Sequence, residues 1–225
     1  MRFSCCAVFL AALTPACSLA NVLLADSVAE FSNVQGQDSW LYGYYSGPFT
    51  PDNFQQMPEY DAARERWQVD GTHPFPFFWT MLDRQGGHPN GLTTSGEIQP
   101  AEHWAVRRYV SEAAGPVTIA GVVGDIDPRI GGQGLIARIF VDGLEVYTRN
   151  LANAESQVPY QVEAAVAVGS FIDFVVDPKN SNDWADRFQF TAVVTTVPEP
   201  ASAALLAAVL APVASRRRRS YASGS

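Results

Sequence analysis

The run LIARIFVDGLEVYT, residues 135–148, decides the fold. Two apolar-rich segments, residues 135–141 and 144–148, stand on either side of Asp142-Gly143. An Asp-Gly pair between two such segments is the strongest short-range signal for a two-residue β-hairpin. This run therefore predicts two antiparallel strands joined by a tight turn.

Short apolar segments extend this pattern along the chain. Tyr160, Val162 and Ala164 alternate with Gln161 and Glu163, which is typical of a half-buried strand. Turn residues separate such segments about every 8–12 positions, which favours an all-β fold, an antiparallel β-sandwich of jelly-roll type. The other predicted strands are residues 28–31, 40–45, 64–69, 75–81, 104–110, 117–123, 171–176 and 188–194.

The first twenty residues have the pattern of a secretory signal peptide. Met1-Arg2 is positively charged, residues 5–16 are apolar, and Ser18 and Ala20 are the small residues expected before a cleavage site. We expect cleavage after Ala20, with Ala25 as the alternative site. The same segment holds all three cysteines, Cys5, Cys6 and Cys17.

A lipoprotein anchor at Cys17 is the alternative interpretation of this segment. It is disfavoured because Thr14 occupies the position where a lipoprotein signal needs leucine. Cleavage leaves a body without cysteine, which must fold without disulfide bonds and has no thiol nucleophile or cysteine zinc site.

The charge of the body limits its partners. Setting aside Arg2, Glu199 and the four arginines at 216–219, the totals of 15 basic and 23 acidic residues become ten and 22, a net charge of about −12. This charge argues against binding to nucleic acid or to an anionic lipid surface.

A three-part tail, residues 197–225, follows the body. Residues 201–214 are uncharged and rich in alanine and leucine, and as a helix they would extend about 21 Å. This is shorter than the about 20 residues of a full membrane span, so we expect a short hydrophobic helix and a weak membrane anchor. A core helix followed by a solvated basic segment is the alternative. The flanking residues are Pro198, Glu199, Pro200, Arg216, Arg217, Arg218 and Arg219.

This tail closely resembles the bacterial PEP-CTERM sorting signal, in which a Pro-Glu-Pro motif, a hydrophobic helix and an arginine cluster occur in this order. The resemblance implies Sec-type export, transient retention in the inner membrane and processing near residues 198–200 by an exosortase-type protease. It also implies a final position at the cell surface or in the extracellular matrix. The alanine-rich helix and the five residues beyond the arginines depart from the family pattern. The predicted domains are a signal peptide (1–20), a β-sandwich (21–196) and the sorting signal (197–225).

The body also resembles β-sandwich modules of exported proteins that accompany carbohydrate-active enzymes. The segments that carry this resemblance are residues 35–45, 104–108, 139–143 and 186–188. It implies a jelly roll with sugar binding and assigns no contacting residue. Trp40, Tyr42, Tyr44 and Trp184 are our candidates for stacking on sugar rings, and burial in the core is the alternative for the first three. We place Trp79, Trp104 and Phe77 in the core.

Two acidic loops offer oxygen ligands for calcium. The candidate ligands are Asp125, Asp127, Asp177 and Asp183, although ordinary turn chemistry explains these residues equally well. His73, His88 and His103 are too widely spaced for a zinc motif, so we expect solvated loop histidines.

Arg107 and Arg108 follow one another on a predicted strand, so one of the two must point inward. Arg108 shares its strand face with Trp104, which favours a buried pair between Arg108 and a carboxylate. The alternative is that Arg108 binds the carboxylate of an acidic sugar.

Evidence for catalysis is slight. The sequence has no nucleophile elbow, no phosphate-binding glycine loop and no zinc-protease motif. Paired carboxylates of a glycosidase would have to come from residues such as Glu97, Glu102, Asp125 and Asp127. The sequence therefore favours an exported, non-catalytic envelope or matrix protein that binds polysaccharide. The alternatives are a structural surface protein without a ligand and a small polysaccharide-active enzyme.

Overall fold

The computed structural model describes residues 21–46, 50–70, 78–93, 98–129 and 131–197. The described residues from Val22 onward belong to one compact unit, which runs from Val22 to Val197. The predicted signal peptide and the sorting signal lie outside the described residues, as do Phe77, His73 and Glu97. Among the described residues, none forms a helix of the length and hydrophobicity needed to cross a membrane.

The described unit is built from β-strands and three short 3-10 turns, at Gln37–Ser39, Pro51–Asn53 and Lys179–Ser181. The strands are β1 (Leu23–Asp26), β2 (Trp40–Ser46), β3 (Phe54–Gln56), β4 (Glu59–Asp61), β5 (Arg66–Gln68), β6 (Met81–Asp83), β7 (Gly86–His88), β8 (His103–Val110), β9 (Gly115–Asp125), β10 (Leu135–Val141), β11 (Leu144–Leu151), β12 (Val158–Val166), β13 (Phe171–Asp177), β14 (Phe188–Phe190) and β15 (Val193–Thr196).

These strands form two antiparallel sheets. The larger sheet has nine strands in the order β1-β15-β9-β14-β7-β6-β5-β4, with β12 also paired to β9. The smaller sheet has six strands in the order β11-β10-β13-β8-β2-β3. The predicted all-β, antiparallel architecture is therefore confirmed.

The hairpin at the centre of the prediction forms as expected. Val141 pairs with Leu144, and Leu135 pairs with Leu151, so the second strand continues three residues beyond the predicted end. Asp142 and Gly143 have φ angles of 49° and 83°. Positive φ at both central residues is the requirement of a two-residue type I′ turn.

Alternating side chains from both sheets form one apolar core. In the smaller sheet, Leu135, Ala137 and Ile139 of β10 are fully buried and point towards the larger sheet. From the larger sheet, Ile119 and Val123 of β9 belong to the same core. The period-2 alternation that predicted these strands therefore reports which face of each strand is buried.

The predicted first strand, residues 28–31, is wrong. The strand is β1, Leu23–Asp26, and residues 27–30 form a turn instead. The carboxylate of Asp26 accepts hydrogen bonds from the backbone N–H groups of Val28 and Ala29, at 2.9 and 3.0 Å. An aspartate that bonds its own following backbone favours a turn over a strand.

The predicted last strand, residues 188–194, is interrupted but keeps its register. Phe190 of β14 pairs with Val123, and Val193 of β15 pairs with Ala120, so both strands run along β9 without a slip. Between them, the carbonyl oxygen of Thr191 accepts a hydrogen bond from the hydroxyl of Tyr160 at 2.7 Å. The predicted inward face is confirmed, because Phe188, Phe190, Ala192 and Val194 are all buried.

The region between β5 and β8 differs most from the prediction. The strand predicted at residues 75–81 overlaps only the first residue of β6, Met81–Asp83, and residues 78–80 have no regular structure. The short strand β7, Gly86–His88, lies in a segment that the sequence marks as a loop. Neither glycine of β7 has room for a side chain, because a Cβ atom at Gly86 would lie 1.9 Å from the carbonyl oxygen of Phe188.

Candidate functional site

Trp40 and Tyr42 lie in the core, so the prediction that they stack on a sugar is wrong. Both side chains are fully buried. The Tyr42 ring stacks on Trp67 with a centroid separation of 5.7 Å, and the indole nitrogen of Trp40 donates to Glu30 at 2.8 Å. The two residues occupy alternate positions of β2 and therefore share the strand face that packs in the core between the sheets.

Tyr44 lies at the margin of the same core. Its half-buried ring contacts His103, with 4.5 Å between the centroids, and its hydroxyl donates to Gln55 at 2.8 Å. Among the described residues, no contact joins Tyr44 to Trp184. The sequence-predicted aromatic candidates therefore do not form one binding surface.

Trp184 is exposed and borders a cavity of about 200 Å³, which we name the Trp184 pocket. Its walls come from the segment before β6, from β6 and β7, from the loop after β9 and from the loop between β13 and β14. The lining residues are Trp79, Met81, His88, Asp127, Arg129, Asp183, Trp184 and Arg187.

An arginine pair fixes one side of this pocket. Arg129 donates from Nε and Nη2 to the two carboxylate oxygens of Asp127, at 2.8 and 2.6 Å. The same guanidinium lies 4.8 Å from the centre of the Trp184 ring. The hydrogen bonds from Arg129 hold the pKa of the Asp127 carboxyl below its usual range, so this pair is ionised at neutral pH.

Aromatic rings also line this pocket. Trp79 is half-buried, and its ring lies 5.7 Å from that of His88. Burial lowers the pKa of His88 to about 4, so this imidazole is neutral at pH 7. Its Nδ1 lies 2.6 Å from the carbonyl oxygen of Pro89, which can only accept. The proton is therefore on Nδ1, and Nε2 is left as an acceptor.

Two of the four predicted calcium ligands, Asp127 and Asp183, line this pocket, and a third, Asp125, lies close to Asp127. Asp125, Asp127 and Asp183 are buried and lie near Asp186, a fourth buried carboxylate that the sequence analysis missed. Asp177 lies elsewhere, where its carboxylate accepts a hydrogen bond from Arg138 at 3.0 Å. Within the described part of the chain, no three His, Cys, Asp or Glu side chains are placed to hold a metal ion by themselves.

Asp186 differs from its neighbours because its carboxylate has no hydrogen-bond partner among the described residues. Its side chain is fully buried, and within the described residues neither carboxylate oxygen makes a hydrogen bond. Burial raises the pKa of Asp186 to about 9, and the nearby carboxylates of Asp125, Asp183 and Asp127 raise it further. The sequence feature that could have drawn attention to Asp186 is the run DWADR, residues 183–187, in which charged residues stand on both sides of a tryptophan.

The prediction of solvated loop histidines is wrong for both histidines that the structure describes, His88 and His103. His88 and His103 are buried, not solvated. Nδ1 of His103 lies 2.9 Å from the hydroxyl of Thr80, and burial lowers the pKa of His103 to about 4. The isolated bridge between Asn90 and His103 holds this part of the chain against β8, which explains the burial.

Arg108 forms the predicted buried pair. It donates to both oxygens of Asp173, at 2.6 and 2.9 Å, and to the hydroxyl of Tyr45 at 3.0 Å. Its guanidinium lies between the rings of Phe54 and Phe171, at 4.1 and 4.4 Å from their centres. These contacts leave little room for a sugar, so they favour the structural role over the ligand-binding alternative.

The strand face of this pair is the reverse of the expected one. Arg107 points between the sheets and donates to the carbonyl oxygen of Asp83 on β6 at 2.6 Å. Arg108 and Trp104 share the outer face of the smaller sheet, where Trp104 is half-buried. Trp104 packs against a smaller apolar cluster on this face, and Trp79 is half-buried, so neither residue lies in the main core that was predicted for them.

The carboxylates considered for catalysis have other partners. Glu102 accepts hydrogen bonds from the indole nitrogen of Trp104, at 2.7 Å, and from the hydroxyl of Ser181. Asp127 is neutralised by Arg129, and Asp125 accepts from the backbone N–H of Asp127 at 3.1 Å. Each of these three described carboxylates is therefore engaged by a hydrogen bond.

Comparisons with known proteins give only distant similarity. No family model and no curated protein matches the chain. Solved structures with similarity include the CBM51-2 module and INT domains of Clostridium perfringens ZmpB in complex with GlcNAc, at 16% identity over 50% of this chain, with a TM-score of 0.33. Another contains the tandem CBM51 modules of Sp3GH98, the family 98 glycoside hydrolase of Streptococcus pneumoniae SP3-BS71, at 14% identity over 49% of this chain, with a TM-score of 0.32. The matches span 26% and 37% of those chains, and similarity of this extent assigns neither a family nor a function.

Proposed function

We propose that the body of this protein is a non-catalytic carbohydrate-binding β-sandwich of jelly-roll type, and that the Trp184 pocket is its sugar site. The observation that carries this proposal is the exposed indole of Trp184 beside the ion pair of Arg129 and Asp127, at the edge of a cavity of about 200 Å³.

The indole offers an apolar surface to a sugar ring. Trp184 is 41% exposed, although Arg129 lies over one face of its ring. The opposite face is therefore the surface on which the C–H groups of a pyranose can pack. Tryptophan suits this role because it buries a large, rigid apolar area while keeping a polar N–H group.

Charged groups around the indole suit the hydroxyl groups of a sugar. Arg129 and Arg187 supply N–H donors, while Asp127 and Asp183 supply acceptors. Arg187 also donates a hydrogen bond to the carboxylate of Asp83, at 3.1 Å. A few oriented polar groups in a partly apolar cavity are the usual composition of a small-molecule site.

The volume of the cavity limits the size of the ligand that it can hold. About 200 Å³ is below the roughly 300–1,000 Å³ of pockets that hold drug-sized molecules. We infer that the pocket takes about one sugar ring, such as the end or a side branch of a polysaccharide.

The location of the protein is a second part of this proposal. Residues 1–20 direct Sec-type export, residues 21–196 form the β-sandwich domain, and residues 197–225 retain the chain at the inner membrane. An exosortase-type protease then processes it near residues 198–200, for display at the cell surface or in the extracellular matrix. Support comes from the signal-peptide pattern of residues 1–20 and from the three-part tail.

A screen of immobilised glycans tests the binding proposal. The full chain, purified in mild detergent, should be retained by at least one bacterial or environmental polysaccharide, and the Trp184→Ala variant should not. Failure of the wild-type chain to bind any glycan would overturn the proposal in favour of a structural surface protein.

A further inference from the structure

A second cavity, of about 330 Å³, adjoins the Trp184 pocket, and we name it the arginine groove. Its charged lining residues are Arg64, Glu65, Asp83, Arg84 and Arg187. Arg187 also lines the Trp184 pocket, so the two cavities meet at this side chain. The loop after β9 borders both cavities as well, because Asp127 lines the pocket and Ile126 lines the groove.

Positive charge outweighs negative charge in the arginine groove. Its lining holds three arginines and two carboxylates, a balance of +1, although the body carries a net charge of about −12. Arg66, which pairs with Asp83 across β5 and β6, adds to this excess. Burial and the positive charges of Arg64 and Arg187 lower the pKa of Arg66, and within the described residues Arg66 forms no ion pair. The groove is therefore a basic region of an acidic protein.

Two of the lining arginines already have carboxylate partners. Oδ2 of Asp83 accepts a hydrogen bond from Arg187 at 3.1 Å, and Asp61 pairs with Arg64 at 2.7 Å. The other oxygen of Asp83, Oδ1, accepts from two backbone N–H groups of the turn that follows it, both at 2.9 Å. Both oxygens of Asp83 are therefore engaged, and Arg84 is not among their partners.

Arg84 is the lining arginine that lacks a carboxylate partner among the described residues. Its Nη1 donates to the carbonyl oxygen of Val28 at 3.0 Å, and its guanidinium lies 5.5 Å from the centre of the Phe31 ring. These two contacts orient an exposed side chain. A guanidinium has several N–H donors, and the bond to Val28 uses one of them in the described part of the chain, so others remain for an anion.

We propose that the arginine groove binds an acidic sugar unit, through a carboxylate or a sulfate group, next to the unit in the Trp184 pocket. This inference rests on the carbohydrate binding proposed above and names its ligand class, an acidic polysaccharide. An oxyanion fits because a guanidinium donates two parallel hydrogen bonds to such a group. The cavity of about 330 Å³ is larger than the Trp184 pocket, so it has room for a further sugar unit. Ile126, which is 37% exposed, offers this unit an apolar surface.

The charge of the rest of the body makes this binding specific to the groove. A body with a net charge of about −12 repels a polyanion elsewhere on its surface. Salt screens exposed charges beyond about 8 Å at physiological ionic strength, so the arginines of the groove act on a bound anion more strongly than distant carboxylates do. Binding of an acidic polysaccharide should therefore depend on Arg84.

Calorimetry with matched acidic and neutral glycans tests the inference on the full chain in mild detergent. The carboxylate probes are polygalacturonate, alginate and hyaluronan, each compared with its carboxyl-reduced form, and dextran sulfate is compared with dextran. We expect at least one acidic form to bind about tenfold more tightly than its neutral counterpart, and the pair that shows this preference identifies the group as carboxylate or sulfate.

Arg84→Gln should remove this preference without weakening the binding of the neutral form, because the variant loses the guanidinium that holds the anion. Arg149→Gln is the matched control, because it makes the same change at an exposed site on β11 outside both cavities, and it should keep the preference. A preference that survives in a folded Arg84→Gln variant would overturn the inference.

Circular dichroism checks that Arg84→Gln folds. If it does not, NMR of the Arg84 guanidinium in the wild-type chain replaces the variant. A shift of its resonance with an acidic glycan and none with the neutral form would support the groove, whereas equal shifts with both would overturn it.

The outcomes separate this inference from the proposed function. If the wild-type chain binds no acidic glycan, or binds each acidic glycan and its neutral form equally, the inference is overturned. Neutral glycan binding that Trp184→Ala abolishes would still support the Trp184 pocket in that case. A preference for acidic glycans that Arg84→Gln removes and Trp184→Ala leaves intact would support the groove and count against the pocket.

Discussion

The guanidinium of Arg129 lies 4.8 Å from the centre of the Trp184 ring while two of its nitrogens donate to Asp127. The arginine therefore holds an exposed indole and a buried carboxylate in one fixed arrangement. Its planar group suits this role, because stacking and bidentate hydrogen bonding are both possible for a guanidinium and not for an ammonium group.

Replacement of Arg129 by lysine should weaken glycan binding about tenfold, because one charged hydrogen bond and the stacking contact are lost. The pKa of Asp127 should rise towards its usual value, since the hydrogen bonds from Arg129 are what lower it. Glycan titration and NMR titration of the Asp127 carboxyl measure these effects. Arg64→Lys is the matched control, because Arg64 pairs with Asp61 at an exposed site outside the pocket. Equal effects from the two variants would argue against a specific role for Arg129.

Asp173→Ala should lower the free energy of unfolding by about 3–5 kcal/mol, because it leaves the buried guanidinium of Arg108 unpaired. Replacing both partners, as Arg108→Met with Asp173→Leu, should cost much less, since no charge is then buried alone. Urea denaturation of both variants provides the comparison. A single substitution as mild as the double one would show that the pair is not buried as described.

The buried histidines make stability depend on pH. The pKa of His88 is lowered to about 4 in the folded protein, whereas an unfolded chain binds this proton near pH 6.5. The unfolded state therefore binds more protons between these values, and stability is lost as the pH falls from about 6.5 to 4. Between pH 7.5 and pH 5, His88 should contribute a loss of about 2 kcal/mol. Urea denaturation of wild type and His88→Gln measures it, and identical pH profiles would contradict the burial of His88.

Four glutamines in place of Arg216, Arg217, Arg218 and Arg219 should impair retention at the membrane and subsequent surface display. The reason is that basic residues keep this flank on the cytoplasmic side. Lysines at the same four positions are the control, because they keep the charge. Cell fractionation and surface labelling provide the measurement. Normal display of the glutamine variant would remove the support for a sorting function.

The strands from β8 to β13 could be predicted because their residues alternate and an Asp-Gly pair marks one turn. The three-residue strands β3, β4 and β7 could not, since a segment of this length has too few positions to show a period. The turn after β1 was missed for another reason, because Val28 and Phe31 resemble strand residues until the hydrogen bonds of Asp26 are known.

Burial of the aromatic residues could be predicted only in part. Trp184 stands among Asp and Asn residues, and this polar setting indicated its exposure. Trp40 and Tyr42 share the face of β2 that packs in the core, and local composition does not show which face of a strand that is. Asp186 gave no spacing signal, because its neighbours Asp125 and Asp127 come from a distant part of the chain.

The most direct test of the carbohydrate-binding proposal is the Kd of a glycan from the screen, measured by calorimetry for wild type, Trp184→Phe and Trp184→Ala. Leu144→Ala, an exposed apolar change at the hairpin outside the pocket, is the control. We predict that Trp184→Ala raises Kd about 30-fold or more, the effect expected when a central tryptophan is removed, and that Trp184→Phe has a smaller effect. A Kd for Trp184→Ala equal to that of the wild-type protein would contradict the proposal that the Trp184 pocket binds the sugar.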